Sequence, residues 1–466
     1  MKKQFLKRAA LISLAAAMVV SGTACQNKKA SKDGDVTISI AGWPTENDTA
    51  YENENALKEK FETAHPNVTI KPDNYKYQVQ TFMTKAGGNQ LATLFSTPIT
   101  ETRSVIKNGW AADITEALKK RTWYQAMNED LVDWMSDENG RIYGIPTDVY
   151  AQGLFINKKL FKQAGLVNSD GTIKTPQTYK EVAEYAEIIK KKTGKAGFVF
   201  PSTNNCGGWH FMNVAWAYGT EFMKQESDGS WKATFDTQST RDALQYIYDL
   251  KWKYNALLDD TVIDQPAMEK YVGAEQAAMA FMDIKTGSSK AVTYGMNKDD
   301  ICFVSMPEGP EGRISQMGGT IYYIRADASA EQIDAVLDWL ELKGYGPYMT
   351  DDSLETLEEG CKTKIANGKV VFDRIPFPIW TSEEANQKVN EIYKKYTNVD
   401  ASDYEKYFAF EGVIVKPEYA QCCQELYATF DKCIQEVLTN KNADIAALVK
   451  NANAEFQVNY LDKLTR

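Results

Sequence analysis

Residues 140–166, GRIYGIPTDVYAQGLFINKKLFKQAGL, constrain the fold of this chain more than any other stretch. A polar turn at Asn139-Gly140 leads into Ile142-Tyr143-Gly144-Ile145-Pro146. The chain then runs apolar through Gly153-Leu154-Phe155-Ile156 and becomes amphipathic from Asn157. Turn residues, an apolar run and a helical period in that order predict strand, bend, strand and helix. Pro146 has no N–H to give a sheet ladder, so its strand should break or lie at an edge there. A chain that leaves one sheet and enters another in this way crosses between two lobes. The 466 residues are also too many for a single core.

Composition narrows the function. Net charge is −10, which argues against nucleic acid as a partner. The only histidines are His65 and His210, too few to supply a histidine metal site or a Ser-His-Asp triad, so no metal and no cofactor is expected. Ten Trp and 25 Tyr favour a protein that stacks rings against something, although most of these rings will serve as core.

The N-terminus reads as an export signal. Lys2, Lys3, Lys7 and Arg8 form a basic region, and residues 9–20 an apolar one too short to favour a permanent span. Ser21-Gly22-Thr23-Ala24-Cys25 then precedes a polar tether. This pattern resembles a lipoprotein signal in which Cys25 is acylated, with Gly22 departing from the usual apolar residue. The other reading is an ordinary secretory signal with an incidental Cys. The remaining cysteines, Cys206, Cys302, Cys361, Cys422, Cys423 and Cys433, lack the spacing of a zinc site and can be paired or reduced.

Val36-Thr37-Ile38-Ser39-Ile40 is a first strand ending at Gly42-Trp43, followed by a helix over residues 56–64 and a strand at Val68-Thr69-Ile70. Helical periods mark residues 178–192, 241–254 and 331–343. Phe198-Val199-Phe200 reads as a buried strand, followed by a glycine-rich loop whose flexible Gly207-Gly208 pair would let Trp209 present a ring face. Residues 345–392 are irregular and proline-rich and receive no assignment. Two helices close the chain, over 422–439 and 443–464.

Tyr143-Gly144-Ile145-Pro146, Gly153-Leu154-Phe155, Asn157-Lys158 and residues 160–166 (LFKQAGL) resemble the hinge segment of the family 1 extracellular solute-binding proteins, the capture subunits of ABC importers. Ile156 departs from that family's Tyr. Further matches are Gly109 to Ile114, Gly273 to Met279, and Pro307 to Gly319. The resemblance implies an α/β, two-lobe periplasmic-binding-protein-like fold of type II, with the ligand cleft between the lobes. It places a signal peptide at 1–24, a tether at 25–35, first-lobe segments at 36–147 and 303–345, a second-lobe segment at 148–302, and its completion with the closing helices at 346–466. Lobe crossings are expected near 147–152, 302–306 and 341–352.

The function so implied is non-catalytic capture of a carbohydrate for ABC transporter permease subunits, by a monomer held at the outer face of the cell membrane through its lipid. Sugars need aromatic faces and hydrogen-bonding side chains. The candidates are Trp43, Glu46, Asp148, Trp209 and Asp283, with Arg103 and Trp380 as weaker ones. Each has a plainer role: Trp43 could be lobe core, and each acid a cap or a solvated carboxylate. Two alternatives remain open, a secreted glycoside-active enzyme and a binder of peptides or polyamines. The first needs two carboxylates paired across a bond, and no motif here pairs two.

Overall fold

The structure is a computed structural model that describes residues 34–464 apart from 49, 122, 347–350, 376 and 420. The signal segment and Cys25 lie outside the described residues. The strands, in chain order, are β1 (Val36–Ile40), β2 (Val68–Pro72), β3 (Leu94–Pro98), β4 (Gly144–Ala151), β5 (Gly153–Asn157), β6 (Met223–Gln225), β7 (Trp231–Ala233), β8 (Met279–Met282), β9 (Ile301–Ser305), β10 (Glu308–Gly309), β11 (Gly312–Ile324) and β12 (Val413–Lys416).

They form two principal sheets. In the first, β2, β1 and β3 run parallel, β11 pairs antiparallel with β3, and β4 pairs antiparallel with β11. The second has the order β8-β5-β9, antiparallel throughout. The chain therefore leaves the first sheet at Ala151 and enters the second at Gly153, with only Gln152 between. The strand does not break at Pro146 but lies at a sheet edge there, the second of the two outcomes expected. This is possible because β4 pairs on one side only, with β11, and the register slips between Pro146 and Asp148.

Both sheets are covered on both faces. Leu154 and Ile156 of β5 join a core with helices Tyr179–Thr193, Cys206–Ala217, Gln238–Trp252 and Cys423–Thr439. Phe155, on the opposite face, meets Phe303, Tyr404 and Tyr407. This is why the apolar run of β5 is continuous rather than alternating. In the first sheet, Ile38, Ile40 and Trp43 face Trp339 and Leu340, while Phe95, Ile321 and Tyr323 face Phe82 and Val105.

Helix boundaries follow local chemistry. Thr178 accepts a hydrogen bond from the Glu181 N–H while Glu181 answers the Thr178 N–H, and Gly194 ends that helix at φ +72°. The expected strand at 198–200 is extended but not a ladder. Its N–H groups go singly to different elements, Phe198 to Ala256 and Val199 to Met279. The six described cysteines are all free thiols. Among the described residues, no helix is long and apolar enough to cross a membrane.

The unassigned segment holds two helices, Asp351–Ala366 and Glu383–Tyr396, joined by an extended run. That run touches both sheets' cores. Val370 and Phe372 belong with Tyr404 and Phe303, whereas Phe377, Ile379 and Trp380 lie against Met127 and Leu131. Backbone bonds from Asn128 to Ile379 and from Thr381 to Ala126 pin it to the first-sheet side.

Candidate functional site

In open sheets a ligand collects at the carboxyl ends of parallel strands, where loops diverge and backbone groups are unspent. A cavity of about 320 Å³ lies there. Tyr77 and Gln78, beyond β2, and Ile99 and Thr100, beyond β3, form one wall. Asn204, Asn205 and Trp209 form the opposite wall, from the start of helix Cys206–Ala217. Tyr150 of β4 and Gly318 and Gly319 of β11 make the floor, and Glu418, Gln424 and Tyr427 close it.

The glycine pair before Trp209 is not a flexible loop. Gly207 and Gly208 are the second and third residues of the helix and are buried. A Cβ on Gly208 would lie 2.2 Å from the Tyr427 carbonyl oxygen, so the glycines let two helix backbones touch. Asp431 fixes the same helix start, accepting from Asn205 N (2.6 Å) and Gly208 N (2.7 Å). Trp209 thus stands on a rigid element. Its indole Nε1 donates to Glu418 Oε1 at 2.5 Å, and Gln316 Nε2 donates to the same oxygen at 3.0 Å. Glu418 Oε2 has no partner. Burial pushes the Glu418 carboxyl up to about 8, with Glu101 adding to the shift and the Tyr427, Trp209 and Gln316 donors opposing it.

Across the cavity the Tyr77 hydroxyl donates to Glu101 Oε1 at 2.8 Å. Burial raises the Glu101 carboxyl too, against the opposing bond from Tyr77. Tyr150 lies against Gly318, where a Cβ would fall 2.4 Å from its ring. Burial raises its hydroxyl, and the neighbouring charges of Asp283, Glu418 and Asp148 add to this.

A second cavity, about 660 Å³, opens beside β4. Asp148 and Lys285 line it and pair at 2.6 Å. Its outer wall is the 369–380 run, including Trp380, which meets Trp123 edge-on at 5.7 Å.

The sequence candidates therefore divide. Trp209 lies in the first cavity; Asp148 and Trp380 lie in the second. Asp283 is buried near both Asp148 and Tyr150, but its carboxylate accepts from Thr286 N at 2.8 Å and caps helix Ile284–Thr293. Trp43 is only 2% exposed. It stacks on Trp339 at 5.9 Å and donates to Asn55, so its position after β1 is one of core rather than cleft. Glu46 is exposed over a separate groove with Tyr51 and Asn55. Arg103 donates to the Ser136 carbonyl at 2.8 Å and covers the Trp134 ring, away from both cavities. Tyr150 could have been found from Asp148, two residues earlier on the same strand face. Tyr77, Glu101 and Glu418 carry no such signal, since long-range folding alone brings them together. Among the described residues, no cluster of three or more His, Cys, Asp or Glu could hold a metal ion.

The sequence pattern of bacterial extracellular solute-binding proteins matches residues 43–347. A putative binding protein of Brucella abortus is 23% identical over 344 residues, covering 68% of this chain and 75% of the relative. An arabinooligosaccharide-binding protein of Halalkalibacterium halodurans is 27% identical over 134 residues, 29% of this chain and 27% of that one. The crystal structure of the GacH receptor of Streptomyces glaucescens, solved unliganded and with acarbose, superposes with a TM-score of 0.66 at 18% identity. That likeness covers 92% of this chain and 100% of GacH, and the shared fold is the α/β, two-lobe periplasmic-binding-protein-like one. Two sheets joined through Gln152, a cavity at the carboxyl edge between them and a family match over most of the chain agree: this protein is a member of the bacterial extracellular solute-binding protein family.

Proposed function

We propose that this protein captures a carbohydrate in the cavity between its sheets and delivers it to an ABC importer without chemical change. The observation that carries this reading is the Trp209 ring, held by Glu418 in the wall of a cavity that also contains Tyr77, Tyr150, Asn204, Asn205 and Gln424. Ring faces suit the apolar C–H surfaces of a pyranose, and amides and hydroxyls suit its hydroxyl groups. The arabinooligosaccharide-binding relative and the acarbose-binding GacH receptor support a sugar as the ligand class. Lobe exchange at Gln152 and again beyond β9 gives the ribbon on which the two lobes would close.

Calorimetry over arabino-, malto- and chito-oligosaccharides is the test. Saturable binding of one class, with no new reducing ends after prolonged incubation, is the expected result. Indifference to every glycan would remove the carbohydrate reading, and cleavage would remove the non-catalytic one.

We also infer that Cys25 carries the lipid that keeps the mature protein at the outer membrane face. One acyl CH₂ buried in a membrane contributes about 0.8 kcal/mol, so two or more chains suffice to hold a soluble domain. Cys25→Ser should release the protein into the medium with unchanged ligand affinity. An unacylated Cys25 in mass spectra of the membrane-associated wild type would end this assignment.

A further inference from the structure

The polar chemistry of the cleft is one-sided. Among the described residues lining the 320 Å³ cavity, none is Lys, Arg or His. Two buried carboxyls nevertheless approach it, one from each side: Glu418 in its wall, and Glu101 directly behind Tyr77. The Glu418 carboxyl is also asymmetric. Oε1 accepts from both Trp209 and Gln316, and Oε2 accepts from nothing. Glu418 is 4% exposed, so bulk solvent is largely shut off from the carboxyl. A buried carboxylate without a counter-charge is costly, so this group ionises only when a cation reaches it.

We propose, building on the carbohydrate reading, that the ligand is an amine-bearing sugar whose protonated amino group sits against Oε2 of Glu418 within the wall formed by Tyr77, Tyr150 and Trp209. A neutral hydroxyl would gain only a hydrogen bond with Glu418, because without a compensating charge the buried carboxyl stays protonated. An ammonium group supplies both the donor and the charge, and the electron-rich ring faces around it add attraction. It also gives the ligand a direct part in closure. Bringing the two walls together brings Glu101 toward Glu418, which is unfavourable when both are ionised and favourable with a cation between them.

The groups that set the field at Glu418 are few. Glu101 lies opposite, Tyr150 is on the floor, and Cys423 and Tyr427 are on the adjoining helix; Glu425 adds to the field at Glu101. None is a cation. The free cleft therefore holds Glu418 as its neutral acid at pH 6.5, in keeping with its raised pKa, and an incoming ammonium displaces that proton. Proton release is thus a signature that a purely structural Glu418 would not give.

The experiment is calorimetry at pH 6.5 on the full-length mature protein with three probes of one length: the glucosamine trimer, the N-acetylglucosamine trimer and maltotriose. Each titration is repeated in two buffers of different ionisation heat. The expected result is at least tenfold tighter binding of the glucosamine trimer, with protons released for it alone. In Glu418→Gln that preference should collapse to less than about threefold, and Glu101→Gln should weaken it in the same direction. Equal or tighter binding of the neutral trimers would overturn the proposal while leaving the carbohydrate reading intact. A preference that survives both variants would overturn its assignment to these carboxyls. If no trimer binds, the carbohydrate reading itself fails and this inference with it. Should Glu418→Gln not fold, Glu101→Gln and the wild-type proton release decide the matter.

Discussion

Gly208→Val is expected to lower the folding stability by about 3 kcal/mol or more, beyond the usual cost of overpacking, because nothing near it can yield. The atoms in the way are backbone: the carbonyl oxygen, Cα and carbonyl carbon of Tyr427, all within 2.6 Å of the added Cβ. Moving them means separating helix Cys206–Ala217 from helix Cys423–Thr439, whose contact also holds Phe211 against Phe430 at 5.0 Å. Even Gly208→Ala places the same atom in the same position. Gly87→Ala, at the end of helix Val79–Gly87 with open space around it, is the matched control and should change stability by less than about 0.5 kcal/mol. Chemical denaturation checks both: the midpoint should fall for Gly208→Val with an unchanged slope. A midpoint equal to the control's would show that the two helices are not in backbone contact.

The second large effect concerns the ligand. Trp209→Ala should weaken binding at least tenfold, since a stacked ring contributes on the order of 1 kcal/mol beyond its buried area and the lost area adds more. The variant also removes one of the two donors to Glu418 Oε1, leaving Gln316 alone on that oxygen. Circular dichroism should stay native, because the indole is only half-buried, at the edge of its core. Trp380→Ala tests the larger cavity in parallel and should leave affinity within about twofold. The reverse pattern, with Trp380 mattering and Trp209 not, would move the ligand to the cavity beside β4.

Local chemistry made much of this fold legible. The period of residues 178–192 predicts a helix, and the helix observed is Tyr179–Thr193, one residue displaced because Thr178 is its cap. Residues 331–343 behave alike, with Ser329 capping Ala330–Leu342. Reading failed where a residue's role is set by something far away in sequence. Gly207-Gly208 has the composition of a loop, and only the Tyr427 backbone, over two hundred residues later, makes it a helix contact. Trp43 follows a strand, as a ligand residue would, but Trp339 covers it. Phe198-Val199-Phe200 has strand composition, but it meets β8 only through the Val199 N–H to Met279, too little for a ladder. Glu418 carries no sequence mark at all. Its importance comes from Trp209 and Gln316 both reaching it, at separations of 209 and 102 residues.

The contact between helices Cys206–Ala217 and Cys423–Thr439 bears on the order in which the chain can mature. Residues Leu426, Phe430, Ile434 and Val437 fill the core that Phe211, Val214 and Phe235 begin, and Val449 and Phe456 complete it. A ribosome delivers those residues well after Phe211, Val214 and Phe235. Until then the half-built core presents bare hydrophobic surface, and the Asn205 and Gly208 N–H groups wait for Asp431. Synthesis therefore runs past Phe456 before the second lobe can commit to its native form. A chain passed unfolded through a narrow translocation pore gains from that delay, because it stays threadable until those late segments emerge.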